Sequence, residues 1–307
     1  MSRTLDLDGV LFFPVTPFGA DGAVAVDVLA EHVDRGVAAG PGGVFVACGT
    51  GEFHGLDTDE YQIAVRTAVK ATAGRVPVIA GTGGPLPLAR RYAAIAAEEG
   101  ADGLLLLPPY LVQAPPAGLV EYTRAVAEST ELPVIVYGRG NARYDVASAV
   151  EVARIPGVVG YKDGFGDLDQ LARIVLAVRE DQAGAPFQFF NGMPTAEATV
   201  PAYRAIGVSL WSSAVFCFAP EISLAFYDAV TKGDTARVDA FQSVFFHPLV
   251  ELRNKVPGYA VSLVKAAVGL SGLEVGGVRP PLVDPTDEHL AELRSIIDAG
   301  LALAGAA

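Results

Sequence analysis

Apolar residues gather along this chain in short, nearly unbroken runs at 10–15, 43–47, 76–80, 103–107, 134–137, 158–162, 187–190 and 208–211. The runs are apolar throughout and do not alternate. That pattern predicts strands buried on both faces, as in a parallel sheet covered by helices. Helix-length amphipathic stretches separate them, at 27–39, 59–73, 86–99, 119–129, 147–154, 168–178, 195–206 and 221–232. Eight strand–helix units in about 230 residues predict a (β/α)₈ TIM barrel. An open doubly wound sheet is the alternative, but it rarely needs eight equal units, and no G-x-G-x-x-G follows the first run. Beyond residue 233 the pattern is helical only, at 235–253, 259–268 and 287–303. The expected division is a catalytic barrel over 1–233 and a C-terminal helical appendage packed on it over 234–307.

Composition narrows the class. The 307 residues are 51% hydrophobic and 19% charged, which allows a substantial core. No apolar run reaches the roughly 18 residues of a membrane span, and the N-terminus shows no signal-peptide core. A net charge of −13 excludes a general nucleic-acid binder. It does not exclude an anionic small substrate, which one or two local arginines can hold. Two cysteines make no disulfide framework, so a reducing, cytoplasmic setting is expected. The four histidines lack zinc-site spacing, and neither a metal nor another cofactor is expected. The string Gly81-Thr82-Gly83-Gly84 has no following Lys-Ser/Thr and reads as a turn, not a P-loop.

In a barrel the chemistry lies just past the strand ends. The sixth run closes on Lys162 and is followed at once by Asp163-Gly164-Phe165-Gly166-Asp167. Burial at a strand end favours the neutral amine, a nucleophile toward carbonyl carbon. A lysine that snorkels to the rim or pairs with Asp163 is the bland alternative. The second run ends in Cys48-Gly49-Thr50-Gly51-Glu52, where glycine backbone and the Thr50 hydroxyl suit a carboxylate. Glu52 is expected to brace this loop. The fifth run ends in Tyr137, a candidate proton carrier. Asn191 and Ser213 offer polar contacts at the ends of runs seven and eight. Together these groups suit a 2-oxo acid whose carboxylate sits on the turn and whose ketone meets Lys162.

Several strings carry a family resemblance. They are Phe13-Pro14-Val15-Thr16-Pro17-Phe18, Gly49-Thr50-Gly51-Glu52, Leu107-Pro108-Pro109-Tyr110, Tyr137 and Gly160-Tyr161-Lys162-Asp163. The chain resembles the dihydrodipicolinate synthase and N-acetylneuraminate lyase superfamily over nearly its whole length. The resemblance implies Lys162 as the Schiff-base lysine, Tyr137 as the catalytic tyrosine, and Gly49 and Thr50 in the carboxylate loop. Asn191-Gly192-Met193-Pro194-Thr195-Ala196-Glu197 and Ser212-Ser213-Ala214-Val215-Phe216 look like the 5-dehydro-4-deoxyglucarate dehydratase branch. That implies conversion of a sugar-derived 2-oxo acid to 2,5-dioxopentanoate, water and carbon dioxide, by a homotetramer. Thr16 is then a candidate for proton handling, and Arg139, Asn191 and Ser213 for the substrate hydroxyls and distal carboxylate.

The departures from dihydrodipicolinate synthase also matter. Gly49 stands where that enzyme usually has a threonine, Leu111 where it has a second tyrosine, and Ala142 near the place of an arginine. The proton relay of that enzyme is thereby incomplete. An aldolase of the same superfamily, a non-catalytic sugar-acid binding protein and a phosphosugar isomerase barrel remain open as other readings.

Overall fold

A computed structural model describes residues 5–183 and 185–305. Eight parallel strands close into a barrel in the order β1 to β8. They are β1 (Leu11–Phe12), β2 (Gly43–Val46), β3 (Val78–Thr82), β4 (Gly103–Leu106), β5 (Val134–Gly138), β6 (Val158–Asp163), β7 (Gln188–Asn191) and β8 (Leu210–Ser213). The expected barrel is thus present, with a helix between successive strands. These are α1 (Val26–Ala38), α2 (Thr58–Thr72), α3 (Leu86–Glu98), α4 (Pro116–Ala127), α5 (Val146–Ala153), α6 (Leu168–Gln182), α7 (Val200–Ala205) and α8 (Pro220–Lys232). The chain continues in α9 (Thr235–Phe241), α10 (His247–Asn254), α11 (Tyr259–Leu270) and α12 (Asp287–Gly305).

Local chemistry sets the boundaries. Asp57 begins α2 and Asp145 begins α5 with reciprocal capping boxes, pairing with Glu60 and Ser148. The first run pairs only at Leu11 and Phe12, because Pro14 has no N–H to give a ladder. The helix expected over 195–206 is a 3₁₀ turn at Ala196–Thr199 followed by α7, with Pro201 in its first turn. The helix expected over 235–253 is interrupted by a π-helical segment at Gln242–Phe246. Pro248 cannot donate to the carbonyl one turn back, and the ladder widens just before it.

Contacts divide the chain into two compact units. Of the described residues, one holds 5–8, 77–183 and 185–212, the other 9–76 and 213–305. The C-terminal helices therefore group with the first two strands and their helices. In that second unit Phe226, Phe241, Phe245 and Phe246 form a buried cluster, with ring centroids 4.7 Å apart for Phe226–Phe246 and 5.0 Å for Phe245–Phe246. Gly300 of α12 lies so close that a β-carbon there would stand 2.5 Å from Phe245 Cδ2. In the first unit β3 to β8 are buried almost along their whole length. Gly160 leaves room for Phe190, whose Cε2 would be 2.8 Å from an added β-carbon.

Candidate active site

The surroundings of Lys162 are built by β5, β6 and β7. Their register sets Tyr137 beside Lys162, and Lys162 beside Phe190. Lys162 is buried, 4% exposed, so it does not snorkel to the rim. Its Nζ lies 4.6 Å from the centroid of the Tyr137 ring. The Tyr137 hydroxyl donates to the Gly192 carbonyl at 2.5 Å and accepts from Arg139 Nη1 at 3.3 Å. Gly192 is tightly enclosed. An added β-carbon would lie 2.7 Å from Lys162 Cγ, Lys162 Cε and Tyr137 Cε2. Its N–H donates to the Asp163 carbonyl at 2.6 Å. Gly164 also lies close to Tyr137, with an added β-carbon 2.9 Å from Cε2.

Asp163 follows Lys162 in the same strand, and successive strand side chains point to opposite faces. Its carboxylate accepts from the Tyr203 hydroxyl at 2.5 Å and from the Gly166 N–H at 3.0 Å. It thus ties the β6 end to α7 and fixes the glycine-rich loop. Burial, and then the bond to Asp163, push the Tyr203 phenol up. Burial does the same for Tyr161, and for Tyr144, which reaches about 12. These phenols stay neutral at physiological pH, and the Tyr203 hydroxyl serves as a donor to Asp163.

The structure gives Asn191 an inward, bracing geometry. Its amide Nδ2 donates to the Ala196 carbonyl at 3.0 Å and to Thr199 Oγ1 at 2.8 Å, and Oδ1 accepts from the Met193 N–H at 3.1 Å. Both amide hydrogens hold the loop that carries Gly192. Arg139 is exposed, and Gly140 behind it has φ +57°.

The turn after β2 lies in the second unit. After β2 the chain turns through Ala47 and Glu52, both left-handed at φ 50° and 54°. The Glu52 N–H closes on the Gly49 carbonyl at 3.2 Å. Thr16 Oγ1 donates to the Gly51 carbonyl at 2.7 Å, so Thr16 anchors the turn. Gly51 is confined, with an added β-carbon 3.2 Å from the Pro14 carbonyl, whereas one on Gly49 would meet nothing within 4 Å. Gly49 is exposed and Thr50 half-buried. Ser213 is fully buried, pairs with the Ser223 hydroxyl at 2.9 Å and accepts from the Phe216 N–H at 3.2 Å.

Glu52 was expected to brace this loop, and its partner Lys265 escaped the sequence reading. Glu52 is fully buried and its carboxylate accepts from Lys265 Nζ of α11 at 2.7 Å and from the Arg279 N–H at 2.8 Å. Lys265 is 1% exposed. Burial pushes its ammonium down, and the hydrogen bond to Glu52 works the other way. The signal was present in the sequence, since Lys265 is the one charge in the apolar stretch 259–270. Arg279 also reaches the Gly55 carbonyl and Glu60 at 2.6 Å each. His32 was passed over as well. It is buried, its Nε2 accepts the Val15 N–H at 3.3 Å, and burial and then Arg35 pull its pKa to about 4.

The frame is a closed parallel barrel with a buried lysine at the end of β6 and a tyrosine beside it on β5. The chain belongs to the dihydrodipicolinate synthetase family, whose model matches residues 6–300. It is 56% identical to a Streptomyces coelicolor protein named "Probable 5-dehydro-4-deoxyglucarate dehydratase 1", over 96% of this chain and 93% of that one. It is 55% identical to a Streptomyces griseus protein named "Probable 5-dehydro-4-deoxyglucarate dehydratase", over 98% and 94%. Among solved structures, a dihydrodipicolinate synthase from Oceanobacillus iheyensis shares the fold, with TM-score 0.88 and 23% identity over 96% of this chain and 97% of that one. The likeness carried by the short strings therefore extends over nearly the whole chain.

Proposed function

We propose that this protein is a decarboxylating dehydratase that converts 5-dehydro-4-deoxy-D-glucarate to 2,5-dioxopentanoate, water and carbon dioxide. The observation that carries the reading is the enclosed Lys162–Tyr137–Gly192 arrangement, in a chain more than half identical to proteins named for that activity. Lys162 Nζ adds to the ketone, and loss of water gives an iminium. The iminium acidifies the adjacent CH₂. Removal of that proton gives an enamine, whose electrons expel the β-hydroxyl as water. The conjugated iminium that results accepts the electron pair of the distal C–C bond as carbon dioxide leaves. Reprotonation, tautomerisation of the enol to the aldehyde, and hydrolysis free the product and Lys162. The reaction needs no net oxidant or reductant.

The roles of the other residues follow from their contacts. Tyr137, oriented by Gly192 and facing Arg139, is the candidate proton carrier. Gly49, Thr50 and Gly51 hold the 2-oxo acid carboxylate through backbone N–H groups and a hydroxyl, with Thr16 anchoring that turn. Arg139 is exposed and cationic, and suits the distal carboxylate. Asn191 and Ser213 act through the loops they brace. Family resemblance supports a homotetramer working in the cytoplasm, which sedimentation and localisation of a tagged chain would check. No helix among the described residues is long and apolar enough to cross a membrane.

Borohydride reduction in the presence of substrate tests the covalent step. The account expects the added mass on a peptide containing Lys162 and its loss in Lys162→Ala. Labelling at Lys70, Lys232, Lys255 or Lys265 instead would overturn it.

A further inference from the structure

The turn read as the carboxylate site is supported from behind by a buried ion pair that the proposed mechanism does not use. Glu52 is a non-glycine residue held left-handed, at φ 54° and ψ 41°, a conformation that survives only where neighbours enforce it. Lys265 and the Arg279 N–H enforce it by taking one carboxylate oxygen each. Lys265 Nζ and the Arg279 guanidinium each lie 3.9 Å from the centroid of the Phe18 ring. Thr16, two residues before Phe18, holds the Gly51 carbonyl. Helix α11, the loop carrying Arg279 and the segment 16–18 thus converge on one short turn.

We propose that Lys265 is a positioning residue for substrate binding. Its ammonium holds Glu52 in place and cancels the Glu52 charge next to the N–H groups that receive the substrate carboxylate. This rests on the reading of Gly49–Gly51 as the carboxylate site. A buried carboxylate at position 52 without a partner cation would oppose an anion bound at Thr50 and Gly51. Two like charges on the order of 8 Å apart, at an effective dielectric near 20, weaken binding by about tenfold or more. The carboxylate is useful to the fold because it satisfies two donors and locks the turn, and Lys265 removes its cost to an anionic ligand. The C-terminal helices thereby contribute to substrate affinity.

The test compares two ketones that differ in charge. Borohydride trapping at Lys162 is titrated with pyruvate and with methyl pyruvate at about pH 8, where a free carboxylate is ionised. In Lys265→Met the half-saturating concentration of pyruvate should rise about tenfold, while that of methyl pyruvate stays within about twofold of the wild type. Glu52→Gln combined with Lys265→Met should bring pyruvate back toward the wild-type value. An equal shift for both ketones, or no shift for either, overturns the proposal. If Lys265→Met does not fold, Glu52→Gln decides. It removes the negative charge and leaves one acceptor oxygen where Lys265 and the Arg279 N–H each had their own, so pyruvate should lose no affinity relative to methyl pyruvate, and a loss confined to pyruvate overturns the proposal. Absence of trapping in the wild type would instead refute the Schiff-base reading itself.

Discussion

At the scale of single residues, the surroundings of Lys162 depend on contacts too close to tolerate one extra carbon. Gly192 receives the Tyr137 hydroxyl and leaves the space filled by the Lys162 stem. Gly192→Ala should leave the fold intact at a cost of about 1–3 kcal/mol, the usual range for overpacking, yet displace the lysine. The measurement is borohydride trapping beside a denaturation curve. A variant that traps substrate normally would show that the enclosure is incidental. Tyr137→Phe should lower turnover by about 10²-fold while binding changes little, because a proton carrier acts in the transition state. A raised Michaelis constant with unchanged turnover would assign Tyr137 to binding. Lys162 and Tyr137 were legible in the sequence because each ends an apolar run. Lys265 was not, because its meaning lies in Glu52, 213 residues away in the chain. Asn191 and Ser213 were legible as polar groups at strand ends, but nothing in the sequence shows that both brace loops.

At the scale of elements, the strands were readable because burial on both faces leaves them uniformly apolar. Their ends were less so. Regular pairing continues through Thr82, Gly138, Asp163, Asn191 and Ser213, one or two residues beyond the apolar runs, since backbone ladders do not depend on side-chain polarity. The π-helical segment before Pro248 escaped the periodicity, which expects one continuous helix there. Capping was partly visible. The Asp145 carboxylate accepts the Ser148 N–H, and the Asp145 N–H donates back to the Ser148 hydroxyl oxygen. The Ser148 hydroxyl and then its N–H hold the Asp145 carboxyl below its ordinary range. Asp145→Ala should destabilise the protein by about 1 kcal/mol. Because the folded-state pKa is lowered, the contribution of Asp145 is full above the unfolded value and fades as pH falls through the folded one. Chemical denaturation at neutral and at acid pH checks this. A stability loss that does not shrink in acid would contradict the capping account.

At the scale of the whole molecule, the barrel was legible because eight similar units repeat, whereas the grouping of the C-terminal helices with Gly9–Val76 was not. That grouping is made by long-range contacts such as Lys265–Glu52 and Arg279–Gly55. Stability across pH should also carry a mark of His32, which is neutral in the fold with a pKa of about 4 against an ordinary 6.5. Its contribution is complete above the unfolded value and is lost as pH falls from there through about 4, by on the order of 3 kcal/mol. His32→Gln should flatten unfolding free energy over that window, and an unchanged acid slope would remove His32 from the account. The central claim concerns the reaction. The direct test is to incubate the protein with 5-dehydro-4-deoxy-D-glucarate and read the products by mass spectrometry. The account predicts 2,5-dioxopentanoate with loss of both water and carbon dioxide. Cleavage of a carbon–carbon bond to release pyruvate, or recovery of unchanged substrate, would contradict it.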